Sequence, residues 1–466
     1  MFTLLTIFFL QFANKAGSDV VCLSPTAIEM RQERGIPIDS LDYAVSPIHL
    51  DSIEALGAKV LHTSRWMNGA TVEANNEIIR AIEKCTFVDT VYTTRNEAME
   101  DDFSSKVQKF RDSEVTLTLL NSSTSEPQLS QLNLLPLHQA GYKGKGIRIG
   151  VADGGFYNAN TLEALPQEQW IGYADLTDDN EDDIFGKTGN HGSLCLSAIM
   201  AQQSDYEGTA TDAEYYLFKT EEHSTESPKE IDNWVVAIEM ADSIGLHIVS
   251  TALGYTTFDD GLGDFSYTDM NGQNSRGAKA AAIAARKGML LVVAMGNDGN
   301  KAWHYLSTPA DADSILSVGA VDVAGEVATF SSYGPSADGR VKPEVCAVGT
   351  GTALINPATN EVMNGNGTSF ACPLIAGMAA CLWSAMPQAT NMEIRERIIR
   401  SADRYAQPHE QYGYGIPDAW LAYTQATTNS STPELQNSSI SKIIQNGHIY
   451  IIYNEQLYDL LGNKIN

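Results

Sequence analysis

Basic residues are scarce in this sequence. Its 466 residues include 30 lysines and arginines against 58 aspartates and glutamates, which gives a net charge of −28 at pH 7. Nucleic acid and anionic membrane surfaces would both repel such a chain, so we expect neither as a partner. With 43% hydrophobic and 19% charged residues, the composition is typical of an acidic folded protein with a large buried core.

Cysteine is also scarce, and its spacing matches no common metal-binding pattern. No two cysteines form a C-x-x-C pair, and the last two stand inside the apolar run FACPLIAGMAACLW. We therefore expect free, buried thiols rather than a disulfide framework. The six cysteines are Cys22, Cys85, Cys195, Cys346, Cys372 and Cys381.

The N-terminal apolar run is too short to span a bilayer. It reads MFTLLTIFFLQF, residues 1–12, and it lacks the basic residues that begin a secretory signal. Two interpretations remain open, a clipped signal peptide and a β-strand. We expect a signal remnant that merges into a first strand, and we expect no membrane span.

Residues 1–103 have the pattern of a small α+β domain. Ser24 and Pro25 begin a helix that ends at Gly35, because Ser caps a helix, Pro fits its first position and Gly suits its end. A second helix, two strands around Met67-Asn68-Gly69, a third helix and a final strand follow.

Two polar segments predict linkers. Residues 104–130 end in NSSTSEPQLS, and residues 426–440 read ATTNSSTPELQNSSI. Neither segment has enough apolar residues to fold, and we expect a protease to cut in the first. Residues 441–466 predict a short β-rich tail with a hairpin turn at Asn446-Gly447.

Residues 131–425 alternate short apolar strands with alanine-rich helices. IRIGVAD is followed by GSLCLSAIMA and then by AEYYLFKT. Continuous apolar strands between helices indicate a parallel sheet that is covered on both faces. The fold class is therefore α/β, a doubly wound domain with a central parallel sheet.

Four polar residues stand at strand ends and helix starts, where open α/β sheets gather functional groups. Asp153 ends a strand and His191 begins a helix; Asn297 follows a strand and Ser369 begins a helix. Taken singly, Ser369 and His191 are ordinary capping residues, and Asp153 and Asn297 are ordinary turn residues. Together they provide the nucleophile, base, carboxylate and oxyanion donor that acyl transfer needs.

The set resembles the subtilisin-like serine peptidases (subtilases) over nearly all of residues 131–425. VADGG, NHGSLCLSAIMA and GTSFACPLIAG resemble the family's Asp, His and Ser motifs in the family's order, and VVAMGNDG resembles its oxyanion motif. The resemblance implies that Asp153 is the carboxylate, His191 the general base and Ser369 the nucleophile. It also implies that Asn297 is the oxyanion donor.

One further motif resembles the family, and three positions depart from it. STALG resembles the strand that lines the substrate cleft, which implies that substrate binds along Ser250, Thr251, Ala252, Leu253 and Gly254. The departures are Leu194 in place of a second histidine, Ser193 in place of threonine, and Met295 in place of alanine.

The two ends of the chain resemble parts of secreted subtilases from Bacteroidetes-type bacteria. LSPTAIEMRQERGIPID and LDSIEALGAKVLHTSRWMNGATVE resemble their propeptides, and GHIYIIYNEQLYDLLGNKI resembles their C-terminal sorting signals. The resemblance implies a zymogen that its own propeptide inhibits, that is cut within residues 104–130, and that is exported to the cell surface or medium.

The sequence therefore predicts a monomeric secreted serine endopeptidase that acts on protein and peptide substrates and needs no cofactor for its chemistry. A catalytically silent binding protein on the same fold is one alternative. Another acyl hydrolase, such as an esterase, is a second, which the lack of G-x-S-x-G around Ser369 disfavours. DLTDDNEDD, residues 175–183, offers oxygen ligands for structural Ca²⁺ but lacks a known loop spacing, so we prefer a solvated acidic loop.

Overall fold

The structure, a computed structural model, describes two separate units of the chain, residues 1–423 and 424–466. The described residues are 6–13, 20–96, 124–177, 183–186, 189–223, 225–259 and 261–425, together with four strands between residues 441 and 465.

An antiparallel sheet covered by helices forms the N-terminal domain, residues 6–96. Ser24 caps the first helix as predicted, since its Oγ accepts a hydrogen bond from Ala27 N at 3.1 Å. The elements are β1 (Thr6–Phe12), α1 (Pro25–Glu33), α2 (Pro47–Ala55), β2 (Lys59–Ser64), β3 (Gly69–Ala74), α3 (Asn76–Ile82) and β4 (Val88–Asn96).

The N-terminal apolar run is a strand in the middle of this sheet. The strand order is β2-β3-β1-β4, so β1 pairs on both sides. Phe8 and Leu10 lie in the core of the domain, at 5% and 0% exposure. The strand interpretation is therefore confirmed for residues 6–12, because they pair with β3 on one side and β4 on the other.

Seven parallel strands form the central sheet of the second domain, residues 124–425, which we call the central domain. Their order is β13-β12-β11-β10-β5-β9-β6. The strands are β5 (Arg148–Asp153), β6 (Trp170–Asp175), β9 (Glu214–Lys219), β10 (Ile248–Thr251), β11 (Leu290–Ala294), β12 (Leu316–Val321) and β13 (Val345–Val348). Two hairpins stand outside the sheet, β7 (Gln202–Gln203) with β8 (Tyr206–Glu207) and β14 (Thr352–Ile355) with β15 (Val362–Gly365).

Helices cover both faces of the sheet, as the predicted doubly wound fold requires. In β11, Leu290 and Val292 belong to one hydrophobic core, whereas Leu291 and Val293 belong to the other. Successive side chains of a strand point to opposite faces, so a strand buried on both sides is apolar throughout. The helices are α4 (Glu126–Gln131), α5 (Leu135–Gln139), α6 (His191–Met200), α7 (Lys229–Ile244), α8 (Arg276–Arg286), α9 (Thr368–Ala385), α10 (Asn391–Ser401) and α11 (Ala419–Thr424).

The fold differs from the sequence prediction at the end of the first linker. Helix α4 occupies Glu126–Gln131, so it begins within the segment 104–130 that we predicted to be an unstructured linker and ends one residue after it. Leu129 is 1% exposed in the core of the central domain. Gln128 is buried beside it, donates to Ala353 O at 3.3 Å and accepts from Ala353 N at 2.9 Å, so these two residues anchor a short, mostly polar helix. The rest of that linker up to residue 123, and the whole of the second one, residues 426–440, lie outside the described residues.

Within the described residues, one helix, α9, is long and apolar enough to cross a membrane, judged by length and composition only. In the central domain, however, 89% of this helix is buried against protein. Its apolarity is therefore accounted for by its position in the core.

The C-terminal unit contains a four-stranded antiparallel sheet. β16 (Ser441–Gln445) pairs with β17 (His448–Tyr453), followed by β18 (Gln456–Tyr458) and β19 (Lys464–Ile465). The predicted β-rich tail and its first hairpin are present, although the turn residues 446–447 themselves lie outside the described residues.

Candidate active site

Asp153 lies at the carboxyl end of β5, fully buried. Its Oδ1 accepts hydrogen bonds from Gly154 N at 2.7 Å and from His191 Nδ1 at 2.8 Å. An ionised carboxylate only accepts, so the hydrogen-bond network assigns the imidazole proton to Nδ1 and leaves Nε2 without one. His191 thereby has the tautomer that a general base requires.

His191 is the first residue of α6, which packs closely on the loop that follows β5. A Cβ at Gly192 would overlap the carbonyl oxygen of Gly155 and would lie 2.9 Å from Asp153 Cβ. Ser193 Oγ, where the family usually has threonine, donates to Tyr157 O at 2.8 Å. The glycine allows the close approach of helix and loop, and the serine fixes it.

Ser369 is the second residue of α9, and Gly367 occupies the N-cap position. Ser369 is therefore not the capping residue that it resembles when read alone. Its side chain is 4% exposed, and its Oγ has no hydrogen-bond partner among the residues that the structure describes. The neighbouring Phe370 ring lies 5.5 Å from the His191 ring, so the start of α9 is beside the imidazole.

Cys195 connects the two helices that carry these residues. Its Sγ lies 3.8 Å from His191 Nδ1 and donates to Ser369 O at 3.4 Å. Burial, together with the nearby Asp153 carboxylate, raises the pKa of this thiol, so the thiol keeps its proton. The sequence analysis missed this role, although a residue four positions after His191 lies on the same helix face.

Pro373 explains why the Ser369 carbonyl accepts a bond from sulfur. Helix α9 begins at Thr368, so Pro373 is inside it. Proline has no N–H for the carbonyl four residues earlier, and that carbonyl belongs to Ser369.

Asn297 follows β11 and is half-buried. Its Oδ1 accepts hydrogen bonds from Thr368 N and Thr368 Oγ1, both at 2.9 Å. A backbone N–H can only donate, so the amide oxygen must face Thr368, and Nδ2 is free to point elsewhere. Asn297 is not among the described non-glycine residues with positive φ, so its backbone does not adopt the left-handed conformation common for asparagine in turns.

The four polar residues singled out in the sequence thus lie in one site at the carboxyl end of the parallel sheet. Residues 144–415, more than half of the chain, match the Subtilase family. The chain belongs to the subtilase family. Residues 8–109 match the Peptidase S8 propeptide domain, Bacteroidota. The predicted family, the α/β fold and the classification as a subtilisin-like serine endopeptidase with a propeptide domain are therefore confirmed.

Curated relatives of this subtilase include several bacterial proteases. The thermostable alkaline protease of Halalkalibacterium halodurans is 28% identical over 67% of this chain and 76% of its own length. The minor extracellular protease Epr of Bacillus subtilis is 27% identical over 67% of this chain, but only 44% of its own length is covered. Subtilisin E of Bacillus subtilis is 27% identical over 62% of this chain and 68% of its own length.

Solved structures of similar fold include MycP1 from Mycobacterium smegmatis. That structure superposes with a TM-score of 0.53 over 67% of this chain and 88% of its own. Another structure of MycP1, described as part of the ESX-1 type VII secretion system, gives a TM-score of 0.54. Both are 19% identical to this subtilase, so they show a shared fold.

The predicted substrate strand contacts α9 at Cys372, and two of its side chains point into the core. Ser250 Oγ lies 3.7 Å from Cys372 Sγ, and burial raises the pKa of that thiol to about 12. Thr251 Oγ1 accepts a hydrogen bond from Trp234 Nε1 at 3.1 Å. Any substrate contact in this segment therefore falls to the residues after β10, which are Ala252, Leu253 and Gly254.

The propeptide domain of this subtilase docks on α7 through buried charges. Asp242 accepts hydrogen bonds from Arg31 at 2.6 Å and from Arg65 at 2.7 Å. Asp42, on the propeptide side, also pairs with Arg31 at 2.6 Å. Glu239 accepts from Arg65 N at 2.9 Å. Unpaired charges at this depth would be costly, so the pairing constrains how the domains fit together.

The acidic stretch that offered ligands for calcium falls mostly outside the described residues, since residues 178–182 are not described. At its start, Asp175 Oδ2 lies 3.4 Å from Lys219 Nζ. At its end, Asp183 Oδ1 accepts a hydrogen bond from Phe185 N at 3.2 Å. The preference for a solvated acidic loop over a structural calcium site therefore stays a prediction.

Proposed function

We propose that this subtilase is a secreted serine endopeptidase that hydrolyses peptide bonds through an acyl-enzyme on Ser369. The observation that carries the proposal is the 2.8 Å hydrogen bond from His191 Nδ1 to the buried Asp153 carboxylate, beside the start of the helix that presents Ser369. The same residue types scattered over the surface, without this hydrogen bond, would not support an acyl-transfer mechanism.

In the proposed first step, Ser369 Oγ attacks the carbonyl carbon of the scissile peptide bond while His191 Nε2 takes the hydroxyl proton. Asp153 keeps the imidazole oriented and stabilises the imidazolium that forms. His191 then gives this proton to the leaving amine, so the C–N bond breaks and the acyl group stays on Ser369. In the second step water attacks the ester carbonyl carbon while His191 takes a proton from it. The bond from that carbon to Ser369 Oγ then breaks, His191 returns the proton to Oγ, and the acid product leaves.

The developing oxyanion would be held by Asn297 Nδ2 and the backbone N–H of Ser369. Two observations support this role. The Asn297 oxygen is occupied by Thr368 at 2.9 Å, which leaves the amide hydrogens as the available donors. The N-terminus of α9 adds the positive end of a helix dipole to the same place.

The substrate would bind as an extended strand along Leu253 and Gly254. These residues follow β10, and no hydrogen bond from their backbone is found within the described part of the chain. Unpaired backbone groups at the end of a strand are suited to pairing with an extended peptide. This mode uses main-chain groups, so it fits a peptidase that accepts varied sequences.

The propeptide domain would act as an intramolecular inhibitor until it is removed. The match to a propeptide domain and the buried contacts of Arg31 and Arg65 with α7 support this role. Secretion is supported by relatives that include an extracellular protease. A monomeric state, surface attachment through the tail, and independence from cofactors and nucleic acid remain parts of the proposal.

The test compares the purified full-length chain with Ser369→Ala and with Ser130→Ala, a control at an exposed serine. Each protein is incubated, labelled with a fluorophosphonate, weighed intact, and assayed on casein. We expect the wild type and the control to lose the propeptide domain, to take the label and to cleave casein, while Ser369→Ala does none of these. Equal behaviour of all three, with no label, would support the catalytically silent alternative.

A further inference from the structure

A half-buried histidine, His247, lies at the amino end of the central sheet, opposite the candidate active site. It directly precedes β10, and helix α1 of the propeptide domain packs on the residues before it. Ser24 N donates to Ser243 O at 2.8 Å, and a Cβ at Gly245 would lie 3.0 Å from Met30 Sδ. Helix α1 therefore lies on the connection between α7 and β10 that contains this histidine.

Arg34, which follows α1, and His247 contact the same indole ring, that of Trp383 in α9. The guanidinium carbon of Arg34 lies 5.0 Å from the centroid of the indole, and the imidazole meets it edge to face with centroids 5.4 Å apart. Arg34 also donates to Gly288 O at 3.1 Å. Its sequence neighbour Glu33 is exposed, and within the described residues no carboxylate forms an ion pair with Arg34.

The central domain holds the imidazole in its neutral form from the other side. The backbone N–H of Arg148, the first residue of β5, donates to His247 Nδ1 at 3.2 Å. A proton on Nδ1 would break this hydrogen bond and leave two donors facing each other. The Arg148 side chain pairs with Glu214 of β9 at 2.9 Å. Burial, and then the charges of Arg34 and Arg148, lower the pKa of His247 to about 3.

The other charged groups at the contact between α1 and the central domain are paired with one another. Arg31 pairs with Asp242 at 2.6 Å, and Lys287 pairs with Asp42 at 2.8 Å. The fields of paired opposite charges largely cancel. Arg34 is therefore the unpaired charge that the propeptide domain places beside the imidazole.

We propose that His247 is a pH sensor whose protonation favours the opening of α1 away from the central domain. Opening removes Arg34 and admits water to the imidazole, so His247 binds a proton more readily in the open state than in the closed one. Such a group stabilises the closed state at neutral pH, and this stabilisation is lost as the pH falls below the pKa of the open state. Acid would thereby favour release of the propeptide domain; the effect of that release on peptidase activity rests on the proposed function.

The experiment measures hydrogen–deuterium exchange of α1 in the full-length chain with Ser369→Ala, at pH 7.5 and at pH 5.0. Rates are divided by the chemical exchange rate at each pH, so that they report the opening equilibrium. An ordinary histidine pKa of about 6.5 in the open state would make opening about 30-fold more frequent at pH 5.0. Because Arg148 stays beside the imidazole, we expect the protection of α1 to fall by about 5- to 30-fold, while that of β12 in the central sheet stays unchanged.

Two variants remove the titration and keep a hydrogen-bond acceptor for Arg148 N. In His247→Asn and in His247→Gln, the protection of α1 should change by less than about twofold between the two pH values. His62 is the matched control, since it is a second histidine at the contact between the domains, with Nε2 at 3.1 Å from Leu176 O. His62→Gln should keep the wild-type fall in protection.

The outcomes separate this inference from the proposed function, because the Ser369→Ala background needs no peptidase activity. The same protection of α1 at both pH values with His247 present would overturn the assignment. A full fall in both His247 variants, with the protection of β12 intact, would overturn it as well, and loss of the fall in His62→Gln alone would assign the effect to His62 instead. Failure of the proposed function would appear separately, as a wild-type chain that takes no fluorophosphonate label.

Discussion

Asp242→Asn should raise the equilibrium constant for local opening of the contact between the propeptide domain and the central domain by about two orders of magnitude. The Asp242 carboxylate is 3% exposed and holds Arg31 at 2.6 Å and Arg65 at 2.7 Å. Breaking a buried ion pair from one side costs about 3–5 kcal/mol. Arg31 keeps its ion pair with Asp42 at 2.6 Å, and the new amide oxygen can still accept one hydrogen bond. We therefore expect a cost at the lower end of this range, which corresponds to a factor of roughly 10² in the opening equilibrium.

Hydrogen–deuterium exchange on the full-length chain measures this loosening directly. The Ser369→Ala background prevents self-processing, so the propeptide domain stays attached in every variant. Amides of α1 should exchange about 100-fold faster in Asp242→Asn, because local opening becomes that much more frequent. Amides of β11, in the core of the central sheet, should exchange at the unchanged rate.

Asp51→Asn is the matched control, since Asp51 is an exposed aspartate of α2 in the same domain. It should leave the exchange of α1 unchanged. If Asp242→Asn also leaves α1 unchanged, the reasoning fails: apolar packing and backbone contacts, rather than the buried charges, would then hold the two domains together.

Three further predictions concern the site and the core. Asn297→Ala should lower kcat by about 10²–10³, the range found when the equivalent donor is removed from subtilisin. Steady-state kinetics on a peptide substrate test this, and a loss of less than about tenfold would refute the oxyanion role. Gly367→Ala places a Cβ 2.8 Å from Ser369 Oγ at a φ of +154°, so fluorophosphonate labelling should slow at least about tenfold; labelling at the wild-type rate would contradict this. Burial lowers the pKa of His247 from 6.5 to about 3. Between these two values the unfolded chain binds a proton at this histidine and the folded chain does not. The free energy of unfolding should therefore fall by up to about 1.4 kcal/mol per pH unit as the pH drops from 6.5 towards 3. Urea titrations of His247→Asn should show a flatter acid dependence than those of the exposed His409→Asn, and equal slopes would refute the assignment.

Local patterns in the sequence were enough to predict the elements and their class. Ser24 and Pro25 define the start of α1 because capping depends on neighbouring residues only. Apolar runs such as LLVVA in β11 predict a strand buried on both faces, since no face is left for polar groups. The positions of Asp153 and His191 at element boundaries were likewise readable from the motifs.

The short helix α4 shows where local patterns fail. EPQLSQ is polar and reads as a linker, yet Leu129 is fully within the core. One apolar residue carries too little signal to predict a helix. The helix is stabilised by packing against residues that are distant in the chain, and these contacts cannot be predicted from the local sequence.

The sequence alone determined which residues carry the hydroxyl, the imidazole, the carboxylate and the amide of the proposed site, because these chemical groups are fixed by residue type. Only the tertiary structure decided how each group is held. Thr368 fixes the amide of Asn297 from 71 residues away, and Cys195 takes the Ser369 carbonyl that Pro373 leaves open. Such contacts form because the fold brings distant segments together at one end of the sheet, and the spacing of the residues along the chain does not predict them.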